Sequence, residues 1–386
     1  MGKLWTRVCC LLLCLVLLPG CWDRRELEER ISVVAIAIDF AEGREDLYKL
    51  TVQIPIPLKI AGSSGQGGGS NADAVRVLSV TGKTIADAAN NIQERLNQRL
   101  FLGHTRVLAI SEQVARRGTG EIIDAFRRDP QIRRLLWPIV VKGEAASLLD
   151  IKPKLVQIPV VYIMDLIENG TKMGIIPNQT LGDYFIQTTN EAMQPMLNYF
   201  EVAGDEPAWR GVAVFHGYKM VGTLKDVYTW SLLQLRDNMK GGDVTIKLPD
   251  TDNGYVTFRP HFVDTKLTLR GSHMLKKRGR HEHGAIYTCE VQGDIIEMTA
   301  KPDLPAEKQI PMLQGVIQKE MEKRAQKLID QLQGEYNSDV LKLGLALRGR
   351  HFHDYWGKHE WLKDFKDFPI EVKYVIKLRR LGMEMH

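Results

Sequence analysis

The chain has 386 residues, 44% apolar and 26% charged, which is too long for one hydrophobic core and too apolar for disorder over most of its length. Its 52 Lys and Arg against 47 Asp and Glu leave a net charge of +5, too thin a surplus for a nucleic-acid binder, whose charge is larger and gathered on one face. Of the five cysteines, Cys9, Cys10, Cys14 and Cys21 crowd the N-terminus and Cys289 stands alone in the body of the chain.

The first predicted element is a leader. Lys3 and Arg7 precede the apolar run Val8 to Leu18. A bilayer needs ~20 apolar residues to cross it, whereas a basic start with a shorter apolar run marks an export signal, here residues 1–20. The run ends in Leu18-Pro19-Gly20-Cys21, which resembles the bacterial lipobox, with Pro19 as a mild departure. Cleavage before Cys21 and alkylation of its thiol by diacylglycerol leave a mature chain that cannot close an internal disulfide. Two acyl chains hold a protein durably on a membrane where one holds it marginally. Trp22 then suits the interface, and Arg24 and Arg25 suit anionic lipid.

Ile31 to Asp39 reads as a buried strand, and Leu47 to Ile56 as its antiparallel neighbour across Gly43. Ala61 to Asn71, rich in Gly and Ser, reads as a flexible loop. Val75 to Val80 is a third strand, and Thr84 to Arg99 has the apolar spacing of a helix. Strands over Arg106 to Ile110 and Trp137 to Val141 alternate with helices over Glu121 to Arg127 and Ala145 to Leu149. From Val156 to Asn198 the pattern is helical and interrupted.

Gly204-Asp205-Glu206-Pro207 marks a boundary between an N-terminal region, 21–205, and a C-terminal region, 206–386. The second region opens with a hairpin turned at Gly217. Long strands follow over Val244 to Leu248, Val256 to Leu269 and Ala285 to Met298, and Pro369 to Leu378 closes the chain. Between them, Ile310 to Leu332 forms an amphipathic helix whose stripe packs on its own domain or, failing that, meets a partner. The predicted class is α+β and multidomain, with mixed sheets surrounded by helices.

No catalytic constellation emerges. Thr81-Gly82-Lys83-Thr84 lies between a strand and a helix, but the first glycine of a phosphate loop is missing, with Val77 in its place. His281-Glu282-His283 and His351-Phe352-His353-Asp354 have ligand types at alternating spacing, yet neither supplies the further ligand a metal site needs. Cys289 sits in a predicted strand without a partner base. No cofactor and no metal are expected.

Several stretches together resemble the Ger(x)C lipoproteins, the C subunits of nutrient germinant receptors in endospore-forming bacteria. They are Gly20-Cys21-Trp22-Asp23-Arg24-Arg25-Glu26-Leu27, Thr81 to Ile85, Arg99-Leu100-Phe101 to His104, Gly211 to Phe215 with Val221-Gly222, Asp339 to Gly344, and the pair Trp356 and Trp361. The glycine-rich loop and the His351/His353 pair depart from the family pattern.

The resemblance implies a non-enzymatic lipoprotein on the outer face of the spore's inner membrane, with three small domains of mixed sheets and helices. It implies assembly with an A-type membrane subunit bearing large soluble regions and a B-type subunit resembling amino-acid transporters. Direct contact with a small-molecule germinant stays open. Two other classes are weighed beside it: a solute-binding lipoprotein, which calls for two similar lobes around a cleft, and a tethered metallohydrolase using His351, His353 and Asp354.

Overall fold

The computed structural model describes residues 30–56, 74–153, 156–249, 253–270, 283–300, 305–350, 355–358 and 360–380, with Gly2 and Trp5. The expected leader cleavage site, Cys21, Trp22, Arg24, Arg25, the loop 61–71, His281, Glu282 and the His351 to Asp354 cluster lie outside the described residues.

The chain begins with β1 (Arg30–Ser32), β2 (Ala35–Ala41) and β3 (Arg44–Pro55), the last two joined at Gly43. β4 (Val75–Gly82), α1 (Ile85–Gln93), β5 (Arg99–Phe101) and β6 (Val107–Ser111) follow. Next come α2 (Glu112–Arg117), α3 (Gly120–Arg128), β7 (Trp137–Val141), α4 (Pro159–Met173) and α5 (Leu181–Thr188). β8 (Met196–Ala203), β9 (Glu206–His216) and β10 (Lys219–Leu224) complete an eight-stranded sheet in the order β10-β9-β8-β7-β6-β2-β3-β4. Its central pairs are parallel and its flanks antiparallel, while β1 and β5 pair in parallel apart from it.

β6 and β7 are buried at every position, as strands covered on both faces must be. In β2 the period of two puts Ala35 and Ala37 on one face and Ile36 and Ile38 on the other. The isoleucine face packs with Ile92, Ile122, Phe126 and Tyr184 of α1, α3 and α5. The alanine face packs with Ile163 and Ile167 of α4. Each fully buried Ile contributes about 1.5–3 kcal/mol.

The rest of the chain builds a second sheet. α6 (Asp226–Asp237) leads to β11 (Val244–Lys247), β12 (Tyr255–Arg270) and β13 (Gly284–Met298). α7 (Ala306–Asp330) and α8 (Leu343–Arg350) precede β14 (Ile370–Arg380), and the strand order is β11-β12-β13-β14. β14 runs parallel to β13, which requires a crossover, and α7 lies within it. Tyr287, Cys289 and Val291 of β13 share a core with Leu313, Ile317, Met321 and Leu328 of α7. The α7 stripe is therefore occupied by its own sheet; of the residues expected along it, Ile310 is exposed.

Several expectations change in detail. Ile31 to Asp39 is two strands, because Val33 N–H donates to Phe101 O and draws β1 towards β5. The helix expected to run to Arg99 stops at Gln93, whose side chain accepts from Leu100 N–H and donates to Gln98 O, fastening a reversal. α6 and α8 form where no helix was expected. The turn at Gly204 is the tip of the β8–β9 hairpin, so strands from both sides of residue 205 lie in one sheet.

Candidate functional site

Three of the stretches singled out in the sequence, Gly211 to Phe215 with Val221-Gly222, Asp339 to Gly344, and Trp361, converge where the β9–β10 hairpin meets the segment after α7. That segment, Tyr336 to Leu341, seats its polar atoms on the first sheet. Tyr336 OH donates to Thr223 O (3.0 Å), and its ring fills the space beside Gly222, where a Cβ would lie 2.2 Å from Tyr336 Cε1. His216 Nδ1 donates to Asn337 O (2.8 Å), which fixes the imidazole tautomer. Ser338 Oγ, fully buried, donates to Phe215 O (2.6 Å). Gln194 N–H donates to Asp339 O, and Gly217 N–H donates to Gln194 Oε1.

Asp339 is the centre of this junction and has no exposed surface. Its Oδ1 accepts from Leu343 N–H (3.1 Å), and its Oδ2 from Gly344 N–H (2.8 Å) and Trp361 Nε1 (2.9 Å). The carboxylate thus caps the N-terminus of α8, where its charge meets the positive end of the helix dipole. Burial pushes its pKa up to about 6, against the lowering effect of those hydrogen bonds and of Arg236. Arg236, itself buried, donates to Val340 O (3.2 Å) and pairs with Asp237 (3.3 Å).

Gly344 is required by contact: a Cβ there would lie 2.2 Å from Trp361 Nε1 and 2.7 Å from Ala192 O. Trp361 stacks edge-on with Phe365 and Phe368 at centroid distances of 5.6 and 5.1 Å. Lys342 and Asn337, on either side of Asp339, hold positive φ of 61° and 43°, local strain that the surrounding bonds must outweigh.

Chemically the junction is a clamp. A carboxylate with its oxygens engaged by three donors, and no exposed surface, has no geometry for proton exchange with a substrate.

The other expected residues take plainer roles. Thr84 caps α1 by accepting from Asp87 N–H, and Asp87 accepts from Lys83 N–H. Gly82 lies against Ala88, whose N would be 2.4 Å from an added Cβ. Thr81 to Ile85 is therefore a helix start pressed onto its strand. Burial pushes the Cys289 thiol up to about 12, the opposite of an activated nucleophile. His283 packs edge-on against Tyr355 at 4.9 Å. Among the described residues no group of three His, Cys, Asp or Glu is placed to hold a metal ion, and no helix is long and apolar enough to cross a membrane.

In the sequence Asp339 to Gly344 stands out as a family stretch, but no task for Asp339 is legible there. The available signal was an acid four residues before Leu343, the first residue of a helix in an otherwise apolar run.

Two family models match in succession: the spore germination protein N-terminal domain over residues 23–202, and the spore germination B3/GerAC-like C-terminal domain over residues 210–382. The chain is 24% identical over 384 residues to the putative spore germination protein YfkR of Bacillus subtilis, covering 97% of this chain and 95% of that one. It is 25% identical over 370 residues to the spore germination protein GerQC of Bacillus cereus, covering 95% and 96%. The crystal structure of the GerBC protein superimposes with a TM-score of 0.55 at 18% identity, covering 89% of this chain and 96% of the other, and so shares the fold.

Proposed function

The chain belongs to the GerAC family of spore germination proteins, and on that premise we propose that it is the lipid-anchored, non-enzymatic C subunit of a nutrient germinant receptor. The observation that carries the reading is the placement of Gly20-Cys21-Trp22-Asp23 at the end of a short apolar run, directly before a matched family region that starts at residue 23. Diacylglycerol on Cys21 anchors the mature chain, 21–386, to the outer face of the spore's inner membrane, and Trp22, Arg24 and Arg25 lie at the headgroups.

In this reading the protein works by assembly with A-type and B-type membrane subunits. Confinement to a surface raises its effective concentration near those partners, so a modest interface gives a persistent complex. The α7 stripe is spent on the protein's own core, which leaves the other face of the second sheet, where Phe262 and Val375 are exposed, as the surface for assembly. The clamp at Asp339 joins the two sheets into one body, so that a contact made on one half constrains the other. A solute-binding reading gains no support, since an eight-stranded sheet and a four-stranded sheet are not two similar lobes.

The test is Cys21→Ala in sporulating cells. The variant should leave the spore membrane fraction and weaken germination. Unchanged membrane retention together with unchanged germination would overturn the anchor. Crosslinking in intact spores should join the native protein to two polytopic membrane proteins; crosslinks to soluble proteins alone would overturn the assembly.

A further inference from the structure

The loop 129–136, between α3 and β7, ends in a turn in which Leu136 N–H donates to Arg133 O (3.3 Å), with Arg134 and Leu135 at its tip. Turn tips favour Gly, Pro, Asn, Asp and Ser, yet this one presents a leucine that is 75% exposed. The tip is held in place. Leu181 N–H donates to Leu136 O (2.8 Å) and Gly182 N–H to Arg134 O (2.9 Å), so the first turn of α5 grips the chain on either side of Leu135. Gly182 lies against Arg134, where an added Cβ would be 3.4 Å from Arg134 Cβ. Ile186 follows Gly182 by four residues, so it shares that face of the helix and leans back towards the same tip. It is 60% exposed. Two large apolar side chains therefore stand out to solvent from one corner of the first sheet.

Arginines surround them. Arg133 and Arg134 are exposed and make no ion pair among the described residues. Arg127 lies over the ring of Phe185, 5.1 Å from its centroid, which sets a third guanidinium on the neighbour of Ile186. The acids close by are engaged. Asp124 pairs with Arg128 at 2.8 Å, and both Arg128 and Arg127 hold its pKa down. Asp129 Oδ1 accepts from Gln131 N–H, and Asp183 Oδ2 accepts from Thr180 N–H and Thr180 Oγ in the cap of α5.

A bilayer surface answers both chemistries at once, with hydrocarbon for the apolar side chains and anionic headgroups for the arginines. Position points the same way. Gln131 Oε1 accepts from Leu102 N–H at the end of β5 (3.2 Å), and β5 pairs with β1, which opens at Arg30. Arg30 is nine residues after Cys21, and nine residues span at most ~30 Å, so an anchored Cys21 keeps this corner within reach of the headgroup layer.

We propose that Leu135 and Ile186 insert into the membrane surface while Arg127, Arg133 and Arg134 hold anionic headgroups, a second contact that sets how the anchored body is oriented. The proposal rests on the anchor reading above.

The test uses the lipidated protein with an environment-sensitive fluorophore on Leu135→Cys or, as control, on Lys247→Cys of the second sheet. With Cys21 acylated and Cys289 buried, the introduced thiol is the one that labels. The vesicles are phosphatidylcholine brominated in its acyl chains, with and without an equal share of phosphatidylglycerol. Flotation reads the anchor, and quenching by bromine reads insertion. The protein should float with both vesicles, and the label at 135 should be quenched on the anionic ones while the label at 247 is not. In the protein labelled at 135, Arg133→Gln and Arg134→Gln should each lower the ratio of inserted to free tip about fivefold, the scale of one cation at an anionic surface. Ile186→Ser should lower it about tenfold, a response that a fluorophore entering the bilayer by itself would not give. These side chains are exposed, so the melting temperatures should match the parent's.

Absence of quenching at 135 with flotation intact would overturn the contact and leave the anchor standing, as would equal quenching at 135 and 247. Quenching that ignores phosphatidylglycerol and the arginine variants would overturn the headgroup role of the arginines. A spectral shift at 135 on spore membranes, without one on either vesicle, would overturn lipid as the occupant in favour of a protein. Failure to float would overturn the anchor and this proposal with it.

Discussion

The indole N–H of Trp361 ends on Oδ2 of Asp339, 2.9 Å away, and the carboxylate it meets has no contact with solvent. Twenty-two positions of sequence are closed by that bond, and the helix α8 between them takes its cap from the same carboxylate. A charge held this way makes the stability of the fold depend on pH.

The sign follows from burial. The Asp339 carboxyl has a folded pKa of about 6, above the ~3.9 of an unfolded aspartate, so between those values the folded chain binds a proton that the unfolded chain does not. Its contribution is greatest below pH ~4 and is lost as pH rises through about 6, a change of about 3 kcal/mol for a separation of two pH units. Asp339→Asn cannot titrate. Urea unfolding at a series of pH values should show wild type losing stability relative to Asp339→Asn between pH 4 and 6; a difference that is flat, or that rises with pH, would contradict the burial argument.

Glycine contacts give a second prediction with a built-in control. Gly344→Ala forces a methyl against the Trp361 indole and the Ala192 carbonyl, and overpacking of this kind costs about 1–3 kcal/mol. Gly315, inside α7, has nothing within 4 Å of an added Cβ, so Gly315→Ala should stabilise by about 1 kcal/mol through helix propensity. Thermal melts of the two variants should move in opposite directions.

Ser338→Ala tests the seam between the sheets. It removes a buried hydroxyl that donates to Phe215 O at 2.6 Å, and losing a buried bond of this sort costs about 1–3 kcal/mol. The denaturation midpoint should fall accordingly, with the β9–β10 amides exchanging faster than those of β2 and β6. Uniform exchange across the first sheet would show that the seam does not guard the hairpin.

How much of this was legible in the sequence depends on the range of the cause. The alternation that buries Ala285, Tyr287, Cys289 and Val291 in β13 is local, as are the apolar runs of β6 and β7 and the stripe of α7, and all of them can be read directly. α6 could not be read in this way. Thr229, Ser231 and Gln234 are buried beside Leu232, Leu233 and Leu235, so the helix has no polar face to give it a period. Gly204 reads equally as a linker and as a hairpin tip, and only the pairing of β8 with β9 separates the two. The site is a stronger case still: Asp339, Gly344, Trp361 and Gly222 were visible as motif residues, but their shared corner is made by contacts across more than a hundred positions, such as Tyr336 to Thr223.

Thiol counting joins the fold to the proposed anchor. Of the five cysteines, three lie within the expected leader, Cys21 is the expected acylation site, and Cys289 is buried on β13 with its pKa pushed up to about 12 by that burial. A thiol reagent attacks the thiolate, so the native protein should react slowly, and unfolding should expose Cys289 at its ordinary reactivity. In denaturant the mature chain should then titrate one thiol if Cys21 carries its thioether and two if Cys21 is bare. Cys289→Ser should bring the count to zero in the first case and to one in the second. Intact mass gives the same discrimination independently, because the acyl chains add to the protein only where the thiol is lost. A count of two, with both thiols reacting rapidly before unfolding, would remove the anchor and the buried placement of Cys289 in a single experiment, while a count of two with one thiol reacting only on unfolding would remove the anchor alone.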